Sequence, residues 1–178
     1  MTKTALARLV TGLAKIMALA GGIALIGIVV LICVSVVGRT LIWAGLGAVT
    51  GDYELVEAAV GFAVFAFLPW AHLTRGHAVV SIFTDMLGPR FNAWILVACD
   101  ALMLTAAVFI AWRHALGTMD KYAYGETTLL LRMPLWWSYA AGLIGAVTLI
   151  IVAAYMLAVS LGDAAAGRAP SPAHGAVH

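Results

Sequence analysis

Four apolar stretches alternate with short charged clusters along the chain, and the spacing of those clusters sets the architecture. Between Lys15 and Arg39 lie 23 residues without a charge. As a helix rising ~1.5 Å per residue they reach about 34 Å, enough for a hydrocarbon core of ~30 Å. A second stretch runs from about 53 to 73 and carries Glu54 and Glu57 in its first two turns. A third lies between Arg90 and Arg113 and holds one charge, Asp100. The fourth, 133–162, is longer than a bilayer requires and should tilt or protrude. The pattern predicts an all-α integral membrane protein with four transmembrane helices, at about 16–38, 53–73, 91–112 and 133–162.

Between the second and third stretches the rhythm changes. Val79, Ile82, Phe83 and Met86 follow i, i+3, i+4, i+7 spacing, and Ser81, Thr84, Asp85 and Gly88 repeat it on the opposite face. This amphipathic stretch is too short to span and is stopped by Gly88-Pro89. It predicts a short helix over about 78–88, lying along the membrane surface with its apolar face down, or packed on the protein itself. After a membrane domain covering 1–162, the Ala-, Gly- and Pro-rich residues 163–178 read as a disordered cytoplasmic tail.

Composition agrees with the pattern and excludes a soluble domain: 10% of residues are charged and 64% are hydrophobic, where a soluble domain carries roughly 25% charge. Charge also orients the spans. An even count puts both termini on one side, which then collects Lys3, Arg8, Lys15, Arg75, Arg90 and Arg168 against Arg39, Arg113, Lys121 and Arg132 opposite. The positive-inside rule therefore favours cytoplasmic termini. Ala18-Leu19-Ala20 has the look of a signal-peptidase site, but the apolar run continues from Ile16 to Gly38. A secretory core is only about 7–15 residues long, so a retained signal anchor is expected. Cys33 and Cys99 should lie at different depths, which makes a disulfide between them unfavourable.

Few residues offer chemistry. Asp100 falls near the middle of the third span, where an acid costs about 2.5–3.5 kcal/mol. It reads as an ion site, proton relay or partner contact, or as a protonated carboxyl bonded to a neighbouring helix, with Thr148 at similar depth. Arg39 leaves the first span as Glu54 and Glu57 enter the second, so an ion pair with either glutamate could fix the two helices in register. Independent snorkelling into the headgroups is the alternative. His72 and His114 should sit at opposite membrane faces, and His72 with His77 would be a local pair without an obvious haem slot. Ala141, Gly142, Gly145 and Ala146 form two small-xxx-small pairs suited to close helix packing, and Trp136 and Trp137 stand where the fourth span enters the bilayer. No nucleophile–base set, phosphate loop or metal-spaced cluster appears, so neither catalysis nor a cofactor is expected.

Four motifs in order resemble a known family, the small membrane subunit of tripartite ATP-independent periplasmic (TRAP) transporters, the DctQ-like proteins. They are VVGRT with Arg39, DYELVEAAVGF with Glu54 and Glu57, RGHAVVSIFTDMLGPR with Arg75 and His77, and MPLWWSYAAGL with Pro134, Trp136 and Tyr139. The resemblance covers roughly residues 16 to 160, and Pro69 and Asp100 depart from its pattern. It implies a bacterial inner-membrane subunit that pairs with a much larger permease subunit and meets a soluble periplasmic substrate-binding protein. It further implies secondary, usually sodium-driven uptake of an organic acid such as a dicarboxylate, with this subunit bracing the scaffold and holding no substrate itself. The lipid bilayer is then its surroundings, and nucleic acid is not a partner. Two rival readings are a stand-alone or channel-like homo-oligomer using Asp100 and a haem-bearing anchor of a redox complex.

Overall fold

A computed structural model of the chain describes residues 2–75 and 89–166. Four helices account for most of them: α1 (Thr2–Thr40), α2 (Asp52–Leu73), α3 (Pro89–Tyr124) and α4 (Leu135–Ala165). All four are long and apolar enough to cross a membrane. A 3-10 turn at Ile42–Ala44 follows α1, and an isolated bridge between Thr127 and Pro134 closes the α3–α4 connection. The expected interfacial helix over about 78–88, and His77 just before it, lie outside the described residues.

Three helices run past the spans expected from hydropathy. The 39 residues of α1 and 36 of α3 correspond to about 58 and 54 Å at ~1.5 Å per residue. Helix α4 continues to Ala165, so the first residues of the segment read as a disordered tail are helical. Charge marks where an apolar run ends, but a helix needs only satisfied backbone bonds and carries on through polar residues until a turn stops it.

The helices pack as a row rather than a closed bundle. α1 lies against α2, α2 against α4, and α4 against α3, with a lighter contact between α1 and α4. Helix α4 is thus flanked on both sides and has the longest buried stripe, including Gly142, Gly145, Ala146, Leu149, Val152, Ala153 and Met156. The small residues of its first half are therefore an internal contact. A Cβ built on Gly145 would sit 2.6 Å from the carbonyl oxygen of Phe65. That carbonyl is four residues before Pro69, which lacks the N–H it would otherwise accept. The proline departs from the resembled pattern, yet α2 runs on through it to Leu73, and the freed oxygen faces the one residue type on α4 that lets backbone approach so closely.

Contacts fix the direction of each helix. Val10 and Ala14 of α1 cluster with Leu73 of α2 and with Val152 and Met156 of α4. The start of α1 therefore lies beside the ends of α2 and α4, at what we term the proximal end. At the distal end, the finish of α1 meets the start of α2.

Candidate functional site

The distal end is tied by a carboxylate that the sequence pattern did not single out. Ser35 and Arg39 are four apart on α1 and so share a face. Both reach Asp52, the first residue of α2: Ser35 Oγ donates at 2.5 Å and Arg39 Nη2 at 2.9 Å, to the same Oδ2. Asp52 Oδ1 accepts the N–H of Tyr53, as an acid in the first turn does. Gly51, at φ 77°, turns the chain into α2 and seats Asp52 there. The expected pairing of Arg39 with Glu54 or Glu57 is thus corrected to Asp52. An acid at the helix start points back along the connection toward α1, whereas residues two and five positions later face elsewhere on the helix.

Glu54 ties α2 to the far connection instead. Its two carboxylate oxygens accept the backbone N–H groups of Leu130 (2.7 Å) and Leu131 (2.9 Å). The connection is further closed by Lys121 donating to Glu126 at 2.6 Å, and by Thr128, whose hydroxyl accepts the N–H of Met133. With Glu54→Gln only one of the two acceptors remains. Limited proteolysis between residues 125 and 134 should then accelerate several-fold while the helices stay protected, and unchanged cleavage would show that the connection does not depend on Glu54.

The proximal end holds a buried cluster. Asp100 is 3% exposed. Ser160 Oγ of α4 donates to its Oδ2 at 2.5 Å, Arg75 Nη2 lies 3.5 Å from the same oxygen, and His72 Nε2 is 3.9 Å from Oδ1. Arg75 also donates to Ser160 Oγ at 2.9 Å. One expectation changes here. Thr148 does not serve Asp100, since its hydroxyl bonds Ile144 O of its own helix. Along the helix row, Asp100 lies toward the proximal end, since its partners follow the end of α2 and precede the end of α4 by five residues. Because α3 starts two residues before Phe91 and runs to Tyr124, a tenth residue counted from the charge boundary is still in its first third.

Arg75 reaches the acid because the chain turns sharply after α2. Its φ is +50°, a left-handed conformation that non-glycine residues rarely take. Such a residue costs roughly 1–2 kcal/mol, which the guanidinium contacts to Asp100 and Ser160 offset.

Between the clasps, toward the distal end, α2, α3, α4 and the α3–α4 connection line an open-sided cavity of about 290 Å³. His114 forms part of its wall, held between Phe65 (ring centroids 4.7 Å apart) and Tyr139 (5.2 Å, stacked). Its Nε2 lies 2.9 Å from the Tyr139 carbonyl oxygen, which can only accept, so Nε2 carries the proton. His114 therefore stands beside the middle of α2, and His72 near that helix's proximal end. Pro134 caps α4, and Trp136 makes edge contacts with Tyr122 (5.6 Å) and Trp137 (6.2 Å), building an aromatic corner where α4 begins.

The DctQ-component family of tripartite ATP-independent periplasmic transporters matches the chain over residues 28–162. That interval takes in both clasps, the cavity and the last third of α1. The chain belongs to the DctQ family. Members are transporter components rather than enzymes, working with a large permease and a substrate-binding protein in a tripartite system. No curated protein and no solved structure gave a match to the chain. Family membership and four membrane-length helices together indicate a multi-pass membrane protein.

Asp52, Ser35 and Ser160 escaped sequence reasoning. A usable signal existed for the first two: Ser35 and Arg39 share a helix face, and Asp52 follows a glycine immediately before an apolar run. For Ser160, a small hydroxyl in an apolar helix, the sequence carries no comparable signal.

Proposed function

We propose that this DctQ-family chain is the bracing subunit of a TRAP transporter of the bacterial inner membrane. It holds the scaffold of the large permease in place during cation-coupled, sodium-driven uptake of an organic acid such as a dicarboxylate. The observation that supports this best is the pair of polar clasps at opposite ends of the helix row. Arg39–Asp52 joins α1 to α2 distally, and Arg75–Asp100–Ser160 joins α2, α3 and α4 proximally. Helices fastened at both ends resist shear and tilt, which is what a static support beside a moving domain needs. An open row also leaves broad apolar faces, such as Ile16, Leu19, Ile23 and Ile26 of α1, for the bilayer and the large subunit. With cytoplasmic termini the distal clasp faces the periplasm, and the binding protein docks transiently on that side.

The channel-like reading through Asp100 is weakened by geometry. The acid is buried and engaged by residues of its own chain rather than presented on an open helix face.

The deciding experiment is mild extraction of the tagged chain from its native membrane, followed by reconstitution. A large polytopic partner should co-purify at near one-to-one ratio, and sodium-dependent organic-acid uptake should require both chains. Arg39→Ala should reduce either the recovered complex or the uptake by at least several-fold. Full uptake by an intact Arg39→Ala complex would remove the distal clasp from the mechanism, and a chain extracted alone would overturn the subunit reading itself.

A further inference from the structure

The cavity between α2, α3 and α4 has a lining that none of the roles above uses. Its polar groups are the carboxylates of Glu54 and Glu57, the His114 ring, and the hydroxyl-bearing Thr128, Ser138 and Tyr139. Among the described residues, no lysine or arginine lines it. Glu54 is committed to the backbone of Leu130 and Leu131, and Nε2 of His114 to the Tyr139 carbonyl. Glu57 is different. It is exposed, one turn further into α2 than Glu54, and no side-chain partner engages it among the described residues. The opening thus carries a net negative charge and a surplus of acceptors, while its walls include the rings of Phe65 and Tyr139, faces that attract a cation.

We propose that this cavity binds a primary ammonium group on a slim stem, with the ammonium on Glu57 and the stem along the Ala58, Gly61 and Phe65 face of α2. The three N–H donors of an ammonium match a carboxylate and neutral acceptors better than any anion or apolar chain would. The volume of about 290 Å³ admits a head group or small amine and is near the lower limit of small-molecule sites. Two sources share this chemistry: the head group of a phosphatidylethanolamine lipid and a free amine. The site stands on the cavity alone and is independent of the transporter reading.

The test uses the full chain, in whatever complex it is extracted, and measures binding of dihexanoyl-phosphatidylethanolamine, dihexanoyl-phosphatidylcholine, dihexanoyl-phosphatidylglycerol and ethanolamine by native mass spectrometry and calorimetry. The ethanolamine lipid should bind at least tenfold more tightly than the choline or glycerol lipid. Binding of ethanolamine as well identifies a free amine as sufficient, and its failure to bind assigns the site to the lipid. Glu57→Gln keeps the shape and removes the charge, so it should weaken binding by about tenfold, the scale of one charge-assisted hydrogen bond. Gly61→Leu is the second probe. Gly61 lines the cavity, and a Cβ there meets nothing within 4 Å, so the larger side chain fills the space without displacing a helix. It should abolish binding while leaving the unfolding temperature within a few degrees. Equal binding of all three lipids, or ethanolamine-lipid binding unchanged in both variants, would overturn the proposal.

Discussion

Replacing Arg75 by alanine should destabilise the protein by about 3 kcal/mol, and adding Asp100→Asn should recover most of that loss. Asp100 is 3% exposed and Arg75 lies 3.5 Å from its Oδ2. Without the guanidinium the carboxylate keeps the Ser160 hydroxyl and the nearby His72 ring, but its charge is no longer matched by a permanent cation. Removing one member of a buried pair costs roughly 3–5 kcal/mol because the other is left uncompensated. Arg75 retains some contact with solvent, with a side chain 19% exposed, which places the expectation at the lower end of that range. An asparagine at position 100 still accepts from Ser160 and carries no charge, so the double variant has little left to compensate. The check is a double-mutant cycle on thermal unfolding in detergent or nanodiscs, with Arg75→Lys as a third variant of intermediate stability. Additive losses from Arg75→Ala and Asp100→Asn would mean that the two residues do not act as a pair.

The same cluster shows how far the sequence could be read and where it stopped. Four apolar runs of membrane length follow from the energy of placing charge in hydrocarbon, a one-dimensional property that needs no knowledge of neighbours. Helix identity and order were therefore legible, as was the close packing of Gly142 and Gly145, whose small size matters against any neighbour. Partner choice was not. Arg39 had three acids within reach along the chain, and the one selected depends on which way the start of α2 points, which Gly51 decides through a left-handed turn. Charge boundaries centre Asp100 in its apolar run, but they are not helix ends, and α3 passes beyond Arg113 by eleven residues to Tyr124. The hydrogen-bond partner of Asp100 lies 60 residues away on a helix that sequence separation does not place beside it. Hydropathy reports what each segment dissolves in, and the clasps report what each segment touches. The second becomes visible only once the row order α1, α2, α4, α3 is known.

That row order makes Gly145 the position where one methyl group should do the most harm. The α2–α4 contact is the main helix packing between the α1–α2 half and the α3–α4 half of the described structure, with a lighter α1–α4 contact beside it. A Cβ at position 145 would stand 2.6 Å from the Phe65 carbonyl oxygen, 2.7 Å from its carbon and 2.9 Å from the Phe65 Cβ. The first two are backbone atoms and cannot rotate aside, so the helices must separate, and the packing from Gly142 to Ala153 loosens with them. Overpacking a close contact costs typically 1–3 kcal/mol, and a backbone clash belongs at the top of that range, about 3 kcal/mol for Gly145→Ala. Gly142→Ala is the graded comparison. Its Cβ would meet His114 Nε2 at 2.8 Å, and that ring can yield by giving up its bond to the Tyr139 carbonyl, a loss of about 1 kcal/mol. Gly22→Ala on α1 meets nothing within 4 Å and should cost nothing measurable. Thermal unfolding of the three variants should therefore rank them Gly145, Gly142, Gly22 from most to least damaging. A cysteine pair engineered across α2 and α4 should cross-link more slowly in the first variant alone. If Gly145→Ala proved as harmless as Gly22→Ala, the α2–α4 contact would not be what holds the two halves together, and the bracing role would have to rest on the end clasps alone.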